Sequence, residues 1–451
     1  MKVVVIGGGW AGLAAAVHLL ERGHQVTVVE RRGVLGGRAT SSLDAQTHDV
    51  VDSGTHLMVG AYHSTLDLVR RVGAEALLDV RSDLRLDYVD ERGTTSLACP
   101  ALPAPLHLAF GLLGLRIGWR ARLDALRLGG AIAFRRVPPS ITLADLFERT
   151  AQSTETRELL WRGLATAILN ERSDVADARL FAHVFREAFL RTARDSALVF
   201  PRCGWGDLAE RVGRHVESRD GRIRRRVLVE RIVVEGERVT GVACRARPET
   251  RAALLAGASS RSMRIGADAV VAAVPWHVLP DLLPEEWGRQ APFAGLPALG
   301  SSPIVSIELW LGKKVLDREM LGLRGCDIEW VFDKGRLLGR DGAPQHLSFV
   351  VSAAREAMQR TNAELVDTAW QALCRYFPAA ADVQIVRSLV LRDPHATYSC
   401  TPEAEALRPD SRTPFAGLTL AGDWTATGLP ATIEGAVRSG ANAALAVSGR
   451  P

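Results

Sequence analysis

A chain of 451 residues is longer than a single compact core usually grows and suits two domains. Its formal charge of +5, from 56 basic and 51 acidic residues, is small for that length, and its basic patch lacks the aromatic interleaving that nucleic-acid binding needs. No apolar stretch reaches transmembrane length. The six scattered cysteines (Cys99, Cys203, Cys244, Cys326, Cys374 and Cys400) contain no C-x-x-C pair, which fits free thiols in a reducing cytoplasm and predicts neither a metal site nor a disulfide framework.

The apolar run Val3 to Ile6 predicts a buried parallel strand. It begins so near the N-terminus that no signal peptide is expected before it. Gly7, Gly9 and Gly12 follow in the spacing G-x-G-x-x-G. Gly7 permits the tight turn, Gly9 lets the main chain approach a phosphate, and Gly12 lets the next helix lie close to the strand. That helix is expected from Ala11 to Arg22, with its first amides, Ala11 included, facing a pyrophosphate. Gly23 stops it, and Gln25 to Val29 form a second strand. Glu30, at the end of that strand and beside Arg31, is placed to accept hydrogen bonds from ribose hydroxyls and to repel a 2′-phosphate. The whole βαβ unit predicts dinucleotide binding. Asp52-Ser53-Gly54-Thr55-His56 then ends a further segment in which Gly54, Thr55 and His56 are candidate cofactor neighbours.

The window 101–136 holds six arginines against one acid, Asp124, together with Leu106, Leu108, Phe110, Leu112, Leu113, Leu115, Ile117 and Trp119. Arg116, Arg120, Asp124 and Arg127 recur at helical spacing and predict one polar stripe. Such a helix rests on an anionic membrane surface or packs into its own core with a solvated arginine face, and composition leaves both open. Helices are expected at 143–149 and 155–169, and from the turn Pro201 to Gly206 onward to about His215. Strands are expected at 222–232 and 238–244 about Glu235-Gly236-Glu237, then at 268–274, 304–311 and 346–351, with a helix at 363–376. Near the end, Leu418 to Ala421 form a short strand followed by Gly422 and Asp423. Pro430, Ala431, Thr432 and Ile433 open a last helix, whose N-terminal dipole can stabilise negative charge developing on a ring beside it. Glu434 in its first turn favours that dipole.

Leu35-Gly36-Gly37-Arg38-Ala39 resembles the second glycine signature of the amine-oxidase, protoporphyrinogen-oxidase and phytoene-desaturase flavoproteins. The resemblance implies FAD, with Gly36 and Gly37 passing near its diphosphate and Arg38 making charge-assisted contacts. Val229 falls where that superfamily touches the adenine, and Gly422 and Asp423 fall where it holds the ribityl chain. The implied architecture is α/β: a discontinuous Rossmann-like FAD-binding domain of residues 1–60, 195–275 and 386–451, and an α+β substrate domain of 61–194 and 276–385.

The run from Ala421 to Ala444, the segment Arg392 to Thr397, and Leu160 to Glu171 are similar to the squalene-associated branch, the hydroxysqualene dehydroxylases of hopanoid biosynthesis. The resemblance implies an uncharged isoprenoid substrate, hydroxysqualene, whose allylic hydroxyl leaves as water while reduced FAD supplies hydride. His56, His277 and His395 are candidate acids, with His56 and His395 favoured. A carotenoid-type desaturase or amine oxidase is the alternative. The amine-oxidase reading is weakened by the scarcity of lysine: of Lys2, Lys313, Lys314 and Lys334, only Lys313 and Lys314 fall near an expected pocket strand. No electron donor can be read from the sequence.

Overall fold

The computed structural model describes residues 1–246 and 260–449. Five parallel strands form the first sheet, in the order Arg222–Arg224, Gln25–Val29, Lys2–Ile6, Ala269–Ala272, Leu418–Leu420. By position in the chain that order is 3-2-1-4-5, the doubly wound α/β arrangement. Its switch point lies between Lys2–Ile6 and Ala269–Ala272, at the carboxyl ends of the strands, where ligands bind in such sheets. The two central strands, Lys2–Ile6 and Ala269–Ala272, are buried on both faces, which is why they read as near-continuous Val, Ile and Ala runs.

The helix Trp10–Glu21 lies across this sheet and against the last helix, Ile433–Val447. Glycines allow the approach. A Cβ on Gly440 would stand 2.2 Å from the Ala11 carbonyl oxygen, and one on Gly12 would stand 2.0 Å from that of Gly7. A three-stranded antiparallel sheet, Val227–Glu235, Arg238–Ala246 and Arg261–Gly266, sits beside the first.

A seven-stranded sheet forms the second layer, in the order Ile385–Thr397, Ser302–Leu311, Gln345–Val351, Trp330–Asp333, Met320–Leu323, Arg85–Asp90, Gly93–Ala98. Helix Asn362–Tyr376 packs on one face through Leu365, Ala369 and Leu373. The larger core joins helices of 106–190 to the strands and gathers Phe147, Trp161, Phe181, Phe185 and Phe189 into one aromatic cluster. No helix among the described residues is long and apolar enough to cross a membrane.

Two elements depart from the sequence expectation. The segment 61–194, for which the sequence suggested helices at 143–149 and 155–169 and no strand, contributes the hairpin Arg85–Asp90/Gly93–Ala98 to the sheet. Its alternation (Leu86, Tyr88 against Arg85, Asp87) is a strand signal that the surrounding helices overshadow. Ile385–Thr397, grouped by sequence with the cofactor unit from residue 386 on, runs antiparallel to Ser302–Leu311 along the edge of the seven-stranded sheet.

Candidate cofactor and active site

The two glycine signatures meet. Gly36 donates its amide to the Gly8 carbonyl at 2.9 Å, and a Cβ on Gly9 would lie 3.5 Å from the Gly37 Cα. Gly7, Gly36 and Gly37 have φ of +107°, +100° and +64°, a region that favours glycine. Gly9 is the N-cap of helix Trp10–Glu21 and offers no side chain to cap it, and the first turn holds no acid. Its first amides therefore face the switch point free to bind an anion.

Glu30 is buried. One carboxylate oxygen accepts the Gly8 amide at 2.8 Å and the other the Arg32 amide at 2.7 Å, which fixes the carboxylate and leaves lone pairs for ribose hydroxyls. Arg31 is exposed, whereas Arg32 reaches back to the Gly37 carbonyl. Arg32 thus ties Glu30 to the second glycine signature, a contact that sequence reasoning missed because the two arginines are adjacent and alike. Val229 is buried on the strand whose first residue, Val227, donates its amide to the Glu30 carbonyl at 3.0 Å.

The C-terminal segment arrives from the other side. Asp423 accepts a hydrogen bond from Arg38 at 2.5 Å, and Arg38 also donates to the Ala396 carbonyl at 2.8 Å. Gly422 donates to Ser439 Oγ at 2.9 Å. Arg408, buried and unremarked in the sequence, is a staple for this loop. It donates to the carbonyls of Asp423, Trp424, Thr425 and Leu429 and pairs with Glu405 at 2.8 Å. Thr432 caps helix Ile433–Val447 by accepting the Gly435 amide at 3.0 Å, with Pro430 and Ala431 leading into it. Glu434 does more than favour a dipole. Its buried carboxylate accepts the amides of Ser64 and Thr65 at 3.0 and 2.8 Å, and so caps helix His63–Arg71.

The segment Asp52 to His56 lies where the two layers meet. Asp52 pairs with Lys334 at 2.5 Å, both groups buried, and accepts from Ser41 Oγ at 2.6 Å. The lysine that matters is thus Lys334, at the end of strand Trp330–Asp333, and not Lys313 or Lys314. A cavity of about 10 Å³, room for about one water, is lined by Asp52, Thr55, His56, Trp205 and Lys334 among others. His56 packs edge-on against Trp205, which packs edge-on against Trp10 in the phosphate loop. Its Nε2 has no protein partner, and burial pushes its pKa down, so the imidazole stays neutral. Thr55 hydrogen-bonds Ser348 at 3.0 Å, and Ser348 joins a buried Glu308–His346 pair. Gly54 lies between these contacts, on a partly exposed turn.

His395 stacks on His277 with ring centres 4.2 Å apart, and its Nδ1 meets Ser301 Oγ at 2.8 Å. Burial, then the neighbouring imidazole, pushes the His277 pKa down. The stack adjoins Arg38 through Ala396 and Trp276. His56 and His395 therefore occupy different walls of the site. One further titratable group had no sequence signal: Glu329, whose carboxyl burial pushes up to about 7 despite a hydrogen bond from the Ser352 amide at 3.1 Å.

The residues present fit a bound dinucleotide. A helix N-terminus without a side-chain cap, the buried carboxylate of Glu30, and two glycine turns whose gap a Cβ would fill converge on one switch point. A family model for flavin containing amine oxidoreductases matches residues 10–448. The chain belongs to that family. It is an FAD-dependent oxidoreductase. It is 29% identical to a hydroxysqualene dehydroxylase of Rhodopseudomonas palustris, over 98% of this chain and 97% of the relative. It is 25% identical to a 15-cis-phytoene desaturase of Synechococcus elongatus, over 100% and 96%. Among solved structures, an oxidoreductase from Methanosarcina mazei superposes with a TM-score of 0.75 at 18% identity, covering 100% of both chains, which shows that this flavoenzyme shares its fold.

Proposed function

We propose that this flavoenzyme reductively removes the hydroxyl of hydroxysqualene to give squalene. The observation that carries this reading is the end-to-end similarity to a hydroxysqualene dehydroxylase, without a gap of domain size in either chain. The alternative is a phytoene-type desaturation, favoured by the weaker full-length similarity to a phytoene desaturase. A cytoplasmic location is part of the proposal and is supported by the six free cysteines.

When bound and reduced, FAD supplies a hydride. The chain supplies the rest. The glycine turns, Glu30, Arg38 and Asp423 hold and orient the cofactor. The Asp52–Lys334 pair fixes the segment Gly54 to His56 at the meeting of the layers. The proton that turns a leaving hydroxyl into water is assigned to His395. Its Nδ1 is engaged by Ser301, which leaves Nε2 for the substrate. The stack on His277, with ring centres 4.2 Å apart, holds the His395 ring in place. His56, held neutral by burial, is the poorer proton source and acts as a packing wall. Anaerobic incubation of the purified enzyme with hydroxysqualene and a chemical reductant, with product extraction, tests the reading. Squalene formation supports it, and its absence under conditions where phytoene is desaturated favours the alternative.

A further inference from the structure

The helix Trp119–Phe134 has two apolar faces. Ala121, Ala125, Leu128 and Ile132 are buried in the core, together with Asp124. Asp124 belongs to no solvated stripe. It accepts from the Ser153 amide and Thr156 Oγ1 at 3.1 Å each, while Arg116 precedes the helix and hydrogen-bonds the Arg92 carbonyl. The expected polar stripe of Arg116, Arg120, Asp124 and Arg127 is therefore broken. The face opposite the core carries Trp119, Leu123, Leu126, Gly130 and Phe134, spaced four, three, four and four residues apart. At 3.6 residues per turn these positions fall within about 80° of one another.

These outer side chains are not core residues awaiting burial. The inner face is locked by the Asp124 hydrogen bonds, by Gln152 donating to the Asp124 carbonyl at 2.8 Å, and by Arg186 donating to that of Ile132 at 2.7 Å. The adjoining helix Leu106–Gly111 is fixed likewise by buried His107, whose Nε2 meets Ser196 Oγ at 3.1 Å, and presents Leu106 and Phe110 outward, with Leu113 after it. Seven large apolar side chains within residues 106–134 are between 48% and 91% exposed, out of fifteen such side chains among all described residues. Scattered exposed leucines need no explanation, but this concentration does. The flanks are basic. Arg120 lies over the Trp119 ring at 5.5 Å, and Arg127, Arg135 and Arg136 are exposed.

We propose that this face inserts into one leaflet of an anionic membrane, with Trp119, Leu123, Leu126 and Phe134 at acyl depth and the arginines at the headgroups. An amphipathic surface helix with apolar and aromatic residues on one side and arginines at its flanks has the chemistry of an interfacial anchor. Arg127 pairs with Asp124 at 3.3 Å, whereas Arg120, Arg135 and Arg136 have no ion pair among the described residues, and an anionic surface meets both their charge and the apolar stripe. This face is independent of the proposed reaction, so either can fail alone.

The test is co-sedimentation of the FAD-loaded protein with vesicles of phosphatidylcholine alone or mixed equally with phosphatidylglycerol. The native chain should bind the mixed vesicles. The triple variant Leu123→Gln/Leu126→Gln/Phe134→Ser should partition about 100-fold less. Arg120→Gln/Arg135→Gln/Arg136→Gln should lose the preference for phosphatidylglycerol. Flavin spectra should stay native in both. If the triple apolar variant misfolds, Phe134→Ser alone, at the most exposed position, should still lower binding. Brominated lipid should quench the native chain more than Trp119→Phe. Failure of the native chain to bind mixed vesicles at low salt, or equal binding by Phe134→Ser, overturns the proposal. So does a native dimer in sedimentation velocity that the apolar variant abolishes, which would assign the face to a second copy of the chain.

Discussion

Removing Lys334 probes how the two layers are held together at the site. Lys334→Met keeps the length of the side chain and deletes its charge. Asp52 is then left buried with Ser41 Oγ at 2.6 Å and only a long contact, 3.4 Å, from the Trp205 amide. Breaking one side of a buried pair costs about 3–5 kcal/mol, because the remaining charge loses its partner without regaining water. The retained Ser41 hydrogen bond places the expected cost near the lower end, about 3 kcal/mol. Asp52→Asn should cost a similar amount by stranding the ammonium. The double variant removes both charges, so it should cost no more than either single variant, whereas independent sites would add to about 6 kcal/mol. Urea unfolding of the apo-proteins followed by circular dichroism measures these values, and flavin absorbance of the holo-proteins reports whether Gly54 to His56 have moved. A cost below about 0.5 kcal/mol for Lys334→Met, the range of an ordinary surface change, or additive costs in the double variant, would refute the coupling.

Glu329 has a folded pKa of about 7, above the ordinary glutamate value, so the folded state holds this proton more tightly than the unfolded chain does. The stabilisation it gives is full below the unfolded pKa and is lost as pH rises through about 7, amounting to about 3 kcal/mol at most. Glu329→Gln should flatten the stability profile between about pH 5 and pH 8, and an unchanged slope in chemical unfolding at several pH values would count against it. Arg408→Met leaves four loop carbonyls without their donor and should weaken FAD retention on a desalting column while the N-terminal cradle stays intact; a fully yellow variant would show that the loop holds itself. Gly9→Val fills the gap against Gly37 and should abolish bound flavin. His395→Asn should lower kcat with the flavin spectrum and FAD retention unchanged, whereas an equal loss of bound flavin would point to packing alone.

The meeting of the two glycine turns was legible because its pattern is local. Gly7, Gly9, Gly12 and Glu30 sit within one βαβ unit, and a strand, a glycine turn and a terminal acid leave few other uses for those residue types. The final helix was legible for the same reason. The residues that join the layers were not. Lys334 fell near no expected pocket strand, and only the fold brings it onto Asp52, 282 positions away. Arg408 shows no pattern in sequence because its partners are main-chain carbonyls, which every residue has. The helix Trp119–Phe134 misled in a third way. Arginines at helical spacing suggested a wet face, but Asp124 faces inward to hydrogen bonds from 29 and 32 positions on, and the wet face proved apolar.

The direction of electron flow tests the proposed reaction most directly. The FAD-loaded enzyme is reduced anaerobically with a stoichiometric amount of dithionite and mixed with hydroxysqualene while the flavin absorbance is followed. The account predicts return of the oxidised flavin spectrum with one squalene formed per flavin, and no bleaching of the oxidised enzyme by phytoene. Bleaching by phytoene, with no reoxidation by hydroxysqualene, would contradict it.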